Sequence, residues 1–271
     1  MSKFFKGTIM LLVTLGYAMS GIIIAYILIK GIPNITPGLF QLQYTTENVS
    51  LMPALITTLM TIVLTLIIAL PIGIFTAIYL SNYAKNKFLI KAVRFSTEIL
   101  SSIPSIVYGL FGYLFFVSSA GRGLGMQYSL LAGCLTVAIM ILPTIIRTTE
   151  EAILTVNPLQ AHASLALGAS KIQTIFKVVL PDAMDGILGG IFLSTGRIVG
   201  ESAALIFTMG SVPDIPKGLF KSARTMAVHM YVLSSEGFHV KEAYATAVLL
   251  LVFVVLINFV STRISKKITK A

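Results

Sequence analysis

Long apolar runs separated by short polar stretches dominate this chain. Six of them are long enough to cross about 30 Å of hydrocarbon at ~1.5 Å per residue: Thr8–Ile29, Ala54–Leu80, Ile99–Ala120, Tyr128–Ile146, Gly186–Met209 and Ala243–Thr262. They predict an all-α integral membrane protein with six transmembrane helices in a single domain over residues 1–271. Lys3 and Lys6 precede the first run. Its apolar stretch of about twenty residues exceeds the ~7–15 of a signal-peptide core, so it is read as a retained span.

Between the fourth and fifth spans the pattern changes. Asn157–Pro181 (NPLQAHASLALGASKIQTIFKVVLP) is too polar for lipid and reads as two short helices. Asn157 is a good N-cap, and Pro158 suits a first helical position, where its missing N–H costs nothing. Leu159, Ala163, Ala166 and Leu167 fall on one helical face. Gly168 is a natural stop, because it can take the left-handed conformation. Ser170 and Gln173 form a capping box for a second helix carrying Ile172, Ile175, Phe176 and Val179, with Pro181 expected to bound it. Helices this short are marginal in water, so they are expected to lie on the membrane surface or in a partner's groove. Two loops lie on the other side. Gly31–Pro53 reads as irregular. Ser211–Glu242 carries the apolar run Met226–Leu233, too short to span and hence a re-entrant or interfacial helix.

Composition agrees. The chain is 56% hydrophobic and 11% charged, with mean hydropathy +0.92, whereas soluble domains carry about 25% charged residues. The net charge of +10 comes from basic residues flanking the spans, which points to membrane orientation and not to nucleic acid. With a cytosolic N-terminus, thirteen Lys and Arg fall inside (Lys3, Lys6, Lys85, Lys87, Lys91, Arg94, Arg147, Lys171, Lys177, Arg263, Lys266, Lys267, Lys270). Six fall outside: Lys30, Arg122, Lys217, Lys221, Arg224 and Lys241. Both termini are therefore expected in the cytosol. The one cysteine, Cys134, lies in an apolar span, which rules out an intrachain disulfide. GxxxxGK[ST] is absent, so energy from ATP would come through a partner. A multi-pass membrane enzyme is disfavoured: HExxH and GxSxG are absent, His162, His229 and His239 all lie in loops, and no two carboxylates pair within a span. A passive channel or secondary carrier would not need the helix pair.

The segment at 157–181 resembles the cytoplasmic loop of bacterial ABC importer permeases, whose pattern is E-A-A, then Gly, then nine residues and I-x-L-P. His162-Ala163-Ser164 occupies the E-A-A position, Gly168 follows, and Val178-Val179-Leu180-Pro181 closes it. His162 stands where the family usually has an acid. PSIVYGL from Pro104, GRIVGESAA from Gly196 and RTMAVH from Arg224 resemble the phosphate-importer permeases, the last two being closer to the PstA than to the PstC type. The resemblance implies a MetI-like fold in a bacterial cytoplasmic membrane. It also implies a PstC-like second permease, a PstB-like ATPase dimer that holds ATP and Mg, and a PstS-like external phosphate-binding protein. No cofactor is expected in this chain. Asn157, Pro158, His162, Ala163, Ser164, Leu167 and Gly168 would couple to the ATPase. The alternative is a permease for another oxyanion, such as sulfate, molybdate or phosphonate.

Arg197 falls near the middle of Gly186–Met209. An intramembrane Arg costs at least about 2.5–3.5 kcal/mol, so it should face a cavity or a partner. Glu201 is four residues on and is expected on the same face, holding the guanidinium. Gly196 and Gly200 would form a smooth strip open to another helix or a ligand. On the functional reading Arg197 offers its planar fork to a passing phosphate. On the other, the two residues form a neutralised pair that satisfies itself or ties subunits together. Ser101, Ser102, Ser105 and Tyr108 around Pro104 either line the pathway or hydrogen-bond neighbouring helices. Glu150 and Glu151 are solvated or face the ATPase, and His229 and Glu236 in the external loop either meet the binding protein or belong to a plain amphipathic surface.

Overall fold

A computed structural model of the protein describes residues 3–119 and 123–268, in which every regular element is helical. The chain begins with α1 (Lys3–Gly31), followed by 3-10 turns at Ile32–Asn34 and Pro37–Phe40. Then come α2 (Met52–Ile78), α3 (Lys87–Ser102), α4 (Ser105–Gly112) and α5 (Leu130–Thr155). The connecting helices are α6 (Pro158–Ala166), α7 (Lys171–Thr174) and α8 (Leu180–Asp182). Last are α9 (Met184–Gly200), α10 (Ala203–Thr208), α11 (Met226–Glu236) and α12 (Val240–Ile268). The charges counted at Arg122 and Lys270 lie outside the described residues.

Lipid gives apolar helices no hydrophobic reason to associate, so close approach depends on small residues. The core shows this. α2 and α5 run parallel, with the Cys134 Sγ 4.0 Å from the Thr61 carbonyl and Gly73 against Ile145. A Cβ at Gly190 would sit 2.0 Å from Thr148 Oγ1, and one at Gly186 would sit 2.6 Å from Ala152 Cβ. These contacts press α9 onto α5. Ile62, Cys134, Val137, Ile141, Ile198 and Leu205 fill the space between them. Most of α1 stands clear of this core and touches α12 at Gly31, which packs on Tyr244 and Val248.

The span pattern departs from six straight crossings. Among the described residues four unbroken helical stretches are long and apolar enough: Phe5–Asn34, Met52–Tyr83, Leu130–Thr155 and Val240–Arg263. The expected third span, Ile99–Ala120, is instead bent by 101° between α3 and α4, and makes a fifth crossing if counted as one. Pro104 causes the bend. It offers no N–H and forces the residue before it out of the helical region, so Ile103 is extended at ψ 130. Ala120 lies outside the described residues. The expected fifth span, Gly186–Met209, is divided where Glu201 becomes extended at ψ 124, and α10 restarts beyond it. α5 runs past Ile146 to Thr155.

Pro181 does not end the second connecting helix as expected. A π-helical turn at Ile175–Val179 leads into α8, where Pro181 sits in the first turn and needs no donor. The short run expected outside is a helix, α11, with Met226, Val228, His229 and Leu233 buried. We call its side of the bundle the α11 end and the opposite side the α6 end.

Candidate functional site

At the α6 end, local chemistry builds a rigid helix pair. The Asn157 side chain accepts from the Leu159 N–H at 3.0 Å, and Pro158 opens α6. Gly168 takes φ +86, a conformation that only glycine adopts without strain. Both halves of the capping box form: Ser170 N–H donates to Gln173 Oε1 at 2.8 Å, and Gln173 N–H donates to Ser170 Oγ at 3.3 Å. Ser164 Oγ lies 3.0 Å from Thr174 Oγ1 and pins α6 to α7. Lys171 Nζ donates to the Asn82 carbonyl and stands 4.4 Å from the Tyr83 ring centroid. The pair is thereby tied to the end of α2, while its outer face is bare. Leu159 is 71% and Leu167 90% exposed, and His162 and Ala163 lie open beside them.

Higher in the bundle, α9 presents an uncovered strip. Cβ atoms built at Gly189, Gly196 and Gly200 would meet nothing within 4 Å, and Leu193 between them is exposed. Arg197 is half-buried at the edge of this strip. Among the described residues it forms neither an ion pair nor a hydrogen bond. The expected Arg197–Glu201 contact is not made. An i, i+4 pair needs a continuous helix, and α9 stops at Gly200. Glu201 is buried and turns the other way, its Oε1 accepting from the Ala204 N–H at 2.9 Å at the start of α10. Arg197 is left without a counter-charge.

The residues around Pro104 mostly secure the bend. Tyr108 is buried, and its Oη donates to the Leu100 carbonyl at 2.7 Å across the break. Ser101 and Ser102 both donate to the Glu98 carbonyl, at 2.8 and 2.7 Å. Ser105 opens α4 and is half-buried. Gly109 lets α4 lie on Ala203 and Ala204, and Gly112 lets it meet Thr136 and Thr208. The bend and the broken fifth span are therefore locked together.

A cavity of about 730 Å³ opens between α3, α5 and α9, with Leu193 on its wall one turn from Arg197. Its charges are Arg94, Glu98, Arg147, Glu150 and Glu151. Arg94 donates through Nε and Nη2 to Glu150 Oε1 at 3.1 and 2.6 Å, and Arg147 Nε lies 2.9 Å from Glu151 Oε1. Both arginines here are neutralised, unlike Arg197. Sequence reading treated Arg94 and Arg147 only as orienting charges. The available signal was spacing: Lys87, Lys91, Arg94 and Glu98 share one face of an amphipathic segment whose other side carries Phe88, Phe95 and Ile99. Among the described residues no group of three or more His, Cys, Asp or Glu is placed to hold a metal ion.

Residues 69–270 match the family described as binding-protein-dependent transport system inner membrane component. The chain belongs to that family. The permease is 36% identical over 208 residues to the probable ABC transporter permease protein YqgI of Bacillus subtilis (strain 168), covering 69% of each chain. It is 30% identical over 233 residues to the phosphate transport system permease protein PstA of Haemophilus influenzae, covering 84% of this chain and 81% of that one. Among solved structures it resembles a bacterial alginate ABC transporter in complex with an alginate pentasaccharide-bound periplasmic protein. The TM-score is 0.67 at 20% identity, over 95% of this chain and 96% of that one. The MetNI methionine ABC transporter in an inward-facing conformation gives TM-score 0.62 at 24% identity, over 80% and 93%. These likenesses place the permease among ABC importer membrane subunits of bacterial inner membranes. It is a transporter subunit and not an enzyme.

Proposed function

We propose that the permease forms half of the membrane pathway of an ATP-driven inorganic phosphate importer of the PstA type. The observation that carries this reading is Arg197. It is a guanidinium without a counter-charge at the edge of the Gly189–Gly196–Gly200 strip of α9, in a chain whose relatives include phosphate transport permeases. A second, PstC-like permease covers the strip and closes the pathway between the two chains. Phosphate fits the planar fork of Arg197 better than a point charge would allow. Because Glu201 is turned away, the anion itself supplies the missing negative charge as it passes. The paired charges of the cavity below, three carboxylates against two guanidiniums, offer no second trap, in keeping with a site that must release as well as bind.

The excess of basic residues puts the α6 end in the cytosol. There Leu159, His162, Ala163, Leu167 and Gly168 meet a groove of a PstB-like ATPase, which binds ATP and Mg. Asn157, Pro158 and Ser164 hold the helix that is inserted. The α11 end receives a PstS-like binding protein. Replacing Arg197 by Gln in the complete complex tests the reading: phosphate uptake should fall at least about tenfold with assembly intact. Near-normal uptake would remove the role. ATPase activity stimulated by sulfate as strongly as by phosphate would reassign the substrate.

A further inference from the structure

Among the described residues Arg224 also forms no ion pair, and it is far more deeply buried than Arg197. Arg224 is 4% exposed, and its Nε and Nη2 have no hydrogen-bond partner. Among the described residues no carboxylate lies within ion-pair distance of it. Its guanidinium lies over the face of Tyr44, 4.6 Å from the ring centroid, a favourable cation–π contact. A ring face does not replace the water and hydrogen bonds that a buried cation gives up.

The position makes the imbalance worse. Arg224 precedes α11 by two residues, so it stands at the positive end of an 11-residue helix. Thr225 caps that helix, with the Val228 N–H donating to its Oγ1, and the Met226 N–H donates to Thr58 Oγ1 at 2.9 Å. His229, one turn on, is fully buried beside the backbone of Val49, with neither ring nitrogen in hydrogen-bond geometry, and lies edge-on to Tyr44. Cation and imidazole lie close enough to repel a shared positive charge, and among the described residues no carboxylate pairs with either. A helix N-terminus and a guanidinium fork both favour a small oxyanion.

We infer that Arg224, with the start of α11, forms a second oxyanion site at the α11 end, distinct from Arg197. It rests on the proposed transport function and adds an earlier station on the same route. Val228 of α11 and Ile198, the neighbour of Arg197, belong to one apolar cluster. Tyr44 covers Arg224 in this conformation, and an anion enters as that ring moves aside.

The test uses the complete permease–ATPase complex in phosphate-free detergent, without nucleotide or binding protein, titrated with radiolabelled inorganic phosphate at equilibrium. Arg197→Gln should keep a saturable site that the Arg197→Gln/Arg224→Gln double variant loses, with affinity down at least about tenfold. Equal binding by these two variants would overturn the inference. If Arg224→Gln does not assemble, Arg224→Lys in the Arg197→Gln background carries the test: it should weaken binding, and unchanged affinity would overturn the site. Phosphatidylglycerol added in a second arm should not displace phosphate; displacement would assign Arg224 to a lipid headgroup and overturn it as a transport station. Binding retained by Arg197→Gln but absent from Arg224→Gln would remove the role of Arg197 and leave this site standing. Equal competition by sulfate would change the proposed substrate, not the site.

Discussion

Arg94 and Glu150 are joined by two hydrogen bonds to one carboxylate oxygen, the shorter 2.6 Å. The carboxylate is nearly buried, while the arginine is more than half exposed. The pair fastens the bent-away helix α3 to α5, at the point where the cavity beneath Arg197 opens.

Removing the cation should therefore leave a stranded carboxylate. Arg94→Met is expected to lower the stability of the assembled complex by about 1–3 kcal/mol, the cost of leaving a buried polar group unsatisfied. Adding Glu150→Gln should recover part of the loss. Thermal melting of the purified complex reads both. A double variant no better than the single one would show that the pair does not hold α3.

The bare face of α6 should act in coupling and not in folding. Leu167→Glu puts a charge on a side chain that touches little else in this chain, so the permease should fold and insert normally. Its affinity for the ATPase should fall by about tenfold or more, as for a truncated interface anchor. Gly168→Ala acts differently. It forces an L-residue to φ +86, at about 1–2 kcal/mol, and should lower phosphate-stimulated ATPase activity. Co-purification separates the two effects.

Stability should fall with acid through His229. Burial, then the charge of Arg224, lower its pKa from 6.5 to about 3. The folded chain therefore keeps this imidazole neutral, while the unfolded chain protonates it below pH 6.5. Between pH 6.5 and about 3 the unfolded state binds more protons and is favoured, with a slope approaching ~1.4 kcal/mol per pH unit. The loss is absent above that window. The melting temperature of the native chain minus that of His229→Phe, followed from pH 7 to 4.5, should fall as pH falls. A constant difference would show that His229 does not titrate in this way.

Sequence alone determined whatever depends on neighbours three or four residues apart. The apolar runs predicted the four unbroken apolar helices, and Asn157, Gly168 and the Ser170–Gln173 box predicted the helix pair, because caps and turns are made by adjacent backbone groups. A local rule also misled where the helix it assumed was interrupted. Arg197 and Glu201 have pairing spacing, yet the break after Gly200 sends the carboxylate to Ala204. Ile99–Ala120 read from sequence as one crossing, but it bends by 101° at Pro104, held by Tyr108 reaching back to Leu100 and by Gly109 meeting Ala204. Only the tertiary structure decided that Arg94 is neutralised by a carboxylate 56 residues away, that Arg197 is not, and that Arg224 is buried under Tyr44. Which charges are paired depends on how helices pack side by side, and that packing is set by close approaches between segments that no local spacing encodes.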